Sequence, residues 1–451
     1  MFKITLLNQS SKSCTNVICM GEKRSDISGF NKLSVDERIE KIREFADLNE
    51  EEINLLKKTG SLDIESADRM IENVVSTTEL PFGIATNFVI NGKDYVIPMC
   101  IEEPSVVAAA SYAAKLARPS GGFTTDSDEP IMIGQIQMVG IENVEKGKEA
   151  ILKEKDDIIK YANDVDPAVL VKYGGGLRDI EVRILESQRG KMLIVHLLVD
   201  CRDAMGANAV NTLAEAIGPR LEKLVGGKVR LRIISNLAVH RKARSRAVWS
   251  KEDLEKSTKG EMSGEEVVEA VLDAYAFADA DPYRCTTNNK GMMNGIDAVV
   301  IATGNDFRAI ESGAHSFAAI DGRYKPLAKY SKNENGDLVG EIELPMAIGL
   351  VGGTTRTHPI AKIAVKILGV KSANELGEVI ASVGLAQNFA ALRALATEGI
   401  QKGHMRLHAK NIAVLAGAKG EQIDKVAAKM IEEKKIRVDR GKEILESLES
   451  D

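Results

Sequence analysis

Apolar and polar positions along this chain change period several times, and each change predicts an element. Ser34-Val35-Asp36-Glu37 has the spacing of a reciprocal capping box, and the charged amphipathic stretch behind it predicts a helix running towards Thr59-Gly60. A second helical stretch follows around 63–72. ATNFVI and KDYVIPM then flank Asn91-Gly92, the strongest two-residue hairpin signal. EEPSVVAAASYAAKLA reads as a helix with Pro104 at its first position, rich enough in Ala and Ser to pack closely on neighbours, and Gly121-Gly122 ends it.

Between about 130 and 240 the pattern becomes strand, helix, strand, strand, helix, strand. IMIGQIQMVGI, DIEVRILES, KMLIVHLLVDC and KVRLRIIS are the strands, with helices over 143–163 and 205–224. That order is the split βαβ, ferredoxin-like unit. The fold expected is therefore α+β. A large mixed helical domain (1–128 and 241–399) carries an inserted βαββαβ domain (129–240), and a small helical domain closes the chain (400–451). Within the large domain a helix over 264–279, a hairpin around 333–337, a turn at Gly352-Gly353 and long helices from 358 to 400 complete the outline.

Bulk numbers narrow the function. A chain of 451 residues is too long for one ordinary core. With 60 Lys+Arg against 66 Asp+Glu and a net charge of −6, no basic surplus exists to hold nucleic acid or an anionic membrane. The apolar windows are too short for a membrane span and the N-terminal one too short for a signal peptide, so a cytoplasmic protein is expected. Five scattered cysteines, Cys14, Cys19, Cys100, Cys201 and Cys285, fit a reducing compartment better than a disulfide framework or metal site.

The chemistry concentrates in DPYRCTTNNKGMMNGIDAVVIATGNDFRAIESGAH, Asp281 to His315, where Arg284, Lys290, Asn294 and Asp306 stand among small and apolar residues. Read alone, this run is a structural Lys–Asp pair under a Gly-rich loop, or a site in which the same groups bind something. Glu103, at the mouth of the EEPS helix, either answers the helix dipole or handles a proton in a dry site. Asp203-Ala-Met-Gly-Ala-Asn208 lies between strand and helix. There Gly206 and the first helical amides could hold phosphate, although the GxGxxG pattern is absent. His196, in LIVHLLV, reads as a satisfied core imidazole. His404 and His408 are spaced for a metal but lack the intervening glutamate of HExxH, and no metal is expected. Trp249 and the basic run HRKARSR (His240 to Arg246) read as a solvated face.

Four segments together resemble the 3-hydroxy-3-methylglutaryl-coenzyme A reductase family. They are IENVVSTTELPFGIATNF with PMCIEEPSVVAAAS, DAMGANAVNT, YRCTTNNKGMMNGIDAVVIATGNDFRAIE and LAQNFAALRALATEGIQKGHM. The likeness runs from about Phe30 onward, and EEPSVVAAAS looks like the soluble prokaryotic class II branch.

The resemblance implies a four-electron, two-hydride interconversion of 3-hydroxy-3-methylglutaryl-CoA with mevalonate and coenzyme A. Lys290 would stabilise the oxyanion, Asp306 would position Lys290, Glu103 would donate a proton and His404 would protonate the departing thiolate. Ser105, Arg284 and Asn294 would grip the hydroxymethylglutaryl end, Arg284 as the carboxylate clamp. Asp203, Met205, Gly206, Asn208 and Asn236 would contact the dinucleotide on the small domain. Asp166, facing the adenosine ribose, would favour NADH over NADPH by repelling a 2′-phosphate. It further implies a homodimer with interfacial active sites, with assembly to hexamers left open, and a C-terminal flap closing over substrate.

Three positions depart from the family pattern. Ser76 replaces a Gly in ENV-x-G, Asn288 replaces the His before Asn289-Lys290, and Lys32 takes the place of an Arg near the coenzyme A phosphates. Two other readings stay open at this point. One is a non-catalytic homologue that keeps the fold; the other is a thiolase-like enzyme, which would need Cys285 as an activated nucleophile.

Overall fold

The computed structural model describes residues 23–165, 170–397 and 400–450. Ten strands are described: β1 (Phe82–Ile90), β2 (Lys93–Cys100), β3 (Phe123–Ser127), β4 (Ile131–Val139), β5 (Gly176–Ser187), β6 (Gly190–Asp200), β7 (Lys228–Ser235), β8 (Lys242–Trp249), β9 (Ala328–Lys332) and β10 (Leu338–Pro345). They form a six-stranded sheet in the order β2-β1-β3-β8-β10-β9 and a four-stranded sheet in the order β5-β6-β4-β7.

All pairs in the smaller sheet are antiparallel. Counted along the unit its order is second, third, first, fourth, as the ferredoxin-like expectation requires. The helix expected over 143–163 is divided into Val144–Lys153 and Lys155–Val165, because Glu154 leaves the helical region at ψ 8°. A Lys155–Asp179 ion pair fastens the second segment to β5, and Ile151, Ile158 and Ala162 stay buried across the break.

β3 and β8 are antiparallel neighbours, Phe123 facing Ala247 and Ser127 facing Ala243. The small sheet therefore enters and leaves at one point, where Arg244 gathers Asp126 (2.8 Å), Asp128 (2.6 Å) and Glu343 (2.6 Å). This overturns the solvated-face reading of HRKARSR. Ala243, Ser245, Ala247 and Trp249 turn alternately into the core while the basic residues between them meet carboxylates on flanking strands. Trp249 is wholly buried. Its ring stacks on Phe389 at 3.9 Å, meets Phe123 edge-on, and its Nε1 donates to the Ala113 carbonyl at 3.1 Å.

Local signals behaved unevenly. Asn91 and Gly92 both adopt positive φ (48° and 78°), as a tight hairpin needs. Ser34 and Glu37 form the expected capping box, but the helix stops at Ala46. A second reciprocal box, Asn49 with Glu52, starts another at Glu50. The EEPS helix begins at Val106 rather than Pro104, since Ser105 sits at φ 76° as its N-cap. NNKGMMNG belongs to no loop. It is the middle of the 21-residue Pro282–Ala302 helix, capped by Asp281.

That helix crosses the 24-residue Ala373–Ala396 helix at close range. A Cβ on Gly295 would lie 2.9 Å from Gln387 Cβ, and one on Gly384 would lie 2.8 Å from the Ile296 side chain. Ala373–Ala396 is long and apolar enough to span a bilayer, yet 78% of its most apolar window is buried inside the protein, which makes it a core helix. The C-terminal helices Ile400–Leu415, Glu421–Glu432 and Val438–Ser450 enclose a separate small core of Ala409, Ala413, Val426, Ala427, Met430 and Ile444.

A half-buried polar chain ties Pro282–Ala302 to the following helix, Phe307–Ala318. Asp297 hydrogen-bonds Glu311, Glu311 accepts from His315 Nε2 at 2.6 Å, and His315 Nδ1 meets the Tyr324 hydroxyl at 2.7 Å. Burial, then the Glu311 hydrogen bond and charge, raise Asp297 well above the ordinary carboxylate range. The His315 hydrogen bond is the main cause of the lowered Glu311 value. Burial and the adjoining like charge thus favour a proton shared by the Asp297–Glu311 pair.

Trp249→Ala should lower the unfolding free energy by about 3–5 kcal/mol, because it opens a cavity between three elements. The urea midpoint followed by circular dichroism checks it, since Trp249 is the single tryptophan. The sign for Asp297 follows from its raised folded value. The native state keeps a proton that the unfolded state releases, so this group lowers stability as pH rises from the ordinary aspartate value to the raised one. Asp297→Asn keeps a donor to Glu311 and removes that slope. Its melting temperature should exceed wild type at pH 8, with the gain vanishing near pH 4; parallel pH profiles would refute the protonated pair.

Candidate active site

On the Pro282–Ala302 helix, Cys285, Asn288, Asn289, Met292, Met293 and Ile296 face the core. Lys290 and Asn294, one turn apart, share another face. The turn after β2 brings Glu103 onto them. Lys290 Nζ donates to Glu103 Oε2 at 2.9 Å, and Asn294 Nδ2 donates to the same oxygen at 3.2 Å. Ser105, two residues on, holds a left-handed conformation that a serine adopts only at a cost, the kind of local strain found where a chain must be aimed. The Lys290 side chain is 62% exposed, so this cluster opens outward.

Asp306 is elsewhere. It caps Phe307–Ala318, accepting from the amides of Arg308 (3.0 Å) and Ala309 (3.2 Å), and it pairs with the Arg308 guanidinium at 3.0 Å. At 1.5 Å per residue, the end of the preceding helix at Ala302 lies about 18 Å from Lys290. The expectation that Asp306 holds Lys290 is therefore not met within one chain: a rigid helix separates them.

Asp306 instead lines a cavity of about 2530 Å³ together with Ser105, Met205, Gly206 and Asn208. Gly206, at φ 103°, is the N-cap of the 19-residue Ala207–Val225 helix. A Cβ there would strike Cys201 Sγ at 2.3 Å. The first amides of that helix are unbonded within it and adjoin the cavity, a setting suited to a phosphate. Asp203 stands behind the loop. Its carboxylate accepts from the Ala373 amide at 2.8 Å and its carbonyl from the Leu350 amide at 2.8 Å.

The remaining expected residues are dispersed. Arg284 is half-buried in the first turn of the Lys290 helix, where burial lowers its pKa. Asn236 is exposed just beyond β7, with its carbonyl against Gly313. His404 lies in the Ile400–Leu415 helix, its side chain outside the described residues, as are Asp166, Cys14 and Cys19. Lys32 is exposed on the Phe30–Lys32 turn and Ser76 is exposed before β1. His196 is buried and meets Gln135 at 2.9 Å, as a core imidazole would.

Asn288 turns out to be a core residue. Its Oδ1 accepts from Asn388 Nδ2 at 3.1 Å, and Asn388 Oδ1 accepts from the buried Tyr330 hydroxyl at 2.9 Å. Cys285 is buried, and burial pushes its thiol up to about 11, the opposite of an activated nucleophile. That removes the support for a thiolase-like reading.

Three sets of residues escaped sequence reasoning. Arg241 sits buried inside the basic run. Asn305 Oδ1 accepts from the Gly349 amide at 2.8 Å. Asp297 couples to Glu311 and His315; only the i, i+4 spacing of the last two and a lone carboxylate in an apolar helix hinted at it.

Comparison with known proteins identifies the family and the fold that carry these residues. The family model described as hydroxymethylglutaryl-coenzyme A reductase matches residues 34–409. A 3-hydroxy-3-methylglutaryl-coenzyme A reductase of Archaeoglobus fulgidus is 59% identical over 426 residues, covering 94% of this chain and 95% of that one. A probable reductase of Borreliella burgdorferi is 35% identical over 390 residues, 86% of this chain and 87% of its own. The class II enzyme of Streptococcus pneumoniae, solved with NADPH in open conformations, superposes with a TM-score of 0.78 at 41% identity, covering 92% of this chain and all of that one. With the Glu103–Lys290–Asn294 cluster and the DAMGAN cavity on one such fold, the chain belongs to the hydroxymethylglutaryl-coenzyme A reductase family, oxidoreductases of the mevalonate pathway.

Proposed function

We propose that this chain carries out the family's two successive reductions at a site completed between two copies. The observation that carries the reading is the convergence of Lys290 and Asn294 on one oxygen of Glu103. A carboxyl group held by a cation and an amide can, once protonated, pass its proton to an oxygen that becomes negative beside it, and is left as the carboxylate that pairs with Lys290. Lys290 stabilises that oxyanion without solvent reorganisation. Glu103 donates the proton, and Asn294 keeps its oxygen aimed. Ser105 and Arg284 hold the hydroxymethylglutaryl end, Arg284 through its two-pronged guanidinium. His404 protonates the leaving thiolate as the C-terminal helices close over the site.

A nicotinamide cofactor, when bound, supplies the two hydrides. The amides beside Gly206, with Met205, Asn208, Asp203 and Asn236, make up its protein surroundings on this reading. The NADPH held by the Streptococcus pneumoniae relative supports a nicotinamide cofactor, and a carboxylate at Asp166 supports a preference for NADH.

Two features support a composite site. Asp306 is about a helix length from Lys290 in its own chain, so a second carboxylate beside Glu103 at Lys290 fits the Asp306 of another copy. The segment leading into β1 also exposes Ile64, Met70, Ile71, Val75 (94% exposed) and Leu80, an apolar face suited to burial against another copy.

Loss of nicotinamide absorbance on mixing protein, 3-hydroxy-3-methylglutaryl-CoA and NADH or NADPH tests the reaction. No consumption with either cofactor would leave the non-catalytic homologue. Lys290→Ala and Asp306→Asn should each abolish turnover while melting like wild type. Refolding the two together should recover about a quarter of wild-type activity, since half the dimers are mixed and each then holds one intact site. No recovery would refute the shared site. Wild type should show the higher kcat/KM with NADH, and Asp166→Asn should narrow the difference; a wild type that favours NADPH would refute the role of Asp166.

A further inference from the structure

Arg241 is 3% exposed, yet among the described residues it forms no ion pair. The nearby carboxylates are engaged elsewhere: Asp200 pairs with Arg178 (2.9 Å) and Arg202 (3.3 Å), and Asp203 accepts from the Ala373 amide. Every acceptor of the Arg241 guanidinium is a backbone carbonyl. Nη1 donates to Ala204 (2.9 Å) and Met205 (3.3 Å), while Nη2 donates to Ile348 (2.6 Å) and reaches Arg202 at 3.5 Å.

A buried cation without a carboxylate is costly, so a guanidinium kept in this position has a compensating use. Its position suggests one. Arg241 lies at the seam where the chain leaves the small sheet for β8, and its own carbonyl accepts from the Met346 amide at 2.8 Å. From there it gathers carbonyls of the DAMGAN loop and of the Met346–Gly349 strip onto one fork. Drawing the loop carbonyls inward leaves the amides at the start of Ala207–Val225 directed towards the cavity. The positive charge behind them adds to the partial charge of the helix N-terminus.

The same strip reaches Asp306. Gly349 packs so closely on the loop that a Cβ there would lie 2.6 Å from the Met205 nitrogen. Its amide donates to Asn305 Oδ1, next to Asp306. One backbone segment therefore joins the DAMGAN loop to the residue beside Asp306, and Arg241 clamps that segment to the loop.

We propose that Arg241 is a positioning residue for the reductase reaction: it presets the DAMGAN loop amides for the diphosphate of the nicotinamide dinucleotide without touching the reacting atoms. The proposal rests on the cofactor reading given above. It predicts a split between the two substrates. Arg241→Lys keeps the charge but cannot bridge the two segments, and Arg241→Ala removes both functions. In each variant the KM for the dinucleotide, and its Kd by nicotinamide fluorescence titration, should rise about tenfold or more, because bonds made by a charged donor are lost. The KM for 3-hydroxy-3-methylglutaryl-CoA should stay within about twofold of wild type, since no ground-state contact to it is removed. Millimolar guanidinium should restore part of the dinucleotide affinity to Arg241→Ala by refilling the vacated fork.

Should Arg241→Ala fail to fold, Arg241→Lys decides. Equal rises in both KM values would mean a merely structural arginine and overturn the proposal. An unchanged dinucleotide Kd, with wild type binding normally, would overturn the positioning role and leave the cofactor reading intact. A wild-type protein that binds neither dinucleotide would remove that reading and the proposal with it.

Discussion

The crossing of Pro282–Ala302 over Ala373–Ala396 governs the rest of the molecule. Gly295 and Gly384 let the two helices approach until each would-be Cβ overlaps the partner, so neither helix can slide or roll. The first helix carries Lys290 and Asn294 on its open side and ends just before Asp306. Because an α-helix has a fixed rise, it acts as a ruler between the cation and that carboxylate. Trp249 and Phe389 stack beside the crossing and bring β8 into the same core, so the seam of the inserted sheet is referenced to the same axis.

The buried and half-buried polar groups around this crossing act as registration pins. Asn288 meets Asn388 and, through it, Tyr330; Asp297 meets Glu311 and, through it, His315; Asn289 donates to the Lys325 carbonyl at 2.9 Å. Each has a specific partner, and a helix shifted by one turn would orphan them at a cost comparable with a lost core side chain. Such groups add little net stability. They exclude alternative packings, which a site assembled from several elements needs.

Much of this was legible in the sequence where the signal is local. The Asn91-Gly92 hairpin, the Ser34–Glu37 box and the βαββαβ order each follow from backbone preference or from a side-chain period of two or near four. What failed was decided by distant partners. HRKARSR reads as a polar face until Asp126 and Glu343 on flanking strands, with Asp128 just past β3, meet Arg244, and Trp249 is hidden by distant residues that include Phe389, 140 positions further on. NNKGMMNG suggests a loop because glycine weakens a helix; here glycine is what the helix crossing requires. At the candidate site the sequence motifs named residues but not distances, so the separation of Asp306 from Lys290 could appear only in three dimensions.

That separation bears on how the chemistry stays dry. Oxyanion stabilisation by a lysine is strong only where water is excluded, yet Lys290 is mostly exposed in the single chain. A fully prebuilt, sealed site would trap coenzyme A between the two reductions or exclude it at the start. An open half-site holding Glu103, Lys290 and Asn294, closed by a second copy's Asp306 edge and by the small C-terminal helical core, avoids both problems on the proposed reading. On that reading the cation is covered only while substrate is seated, and the length of the ruler helix is why the covering carboxylate would come from a neighbouring copy.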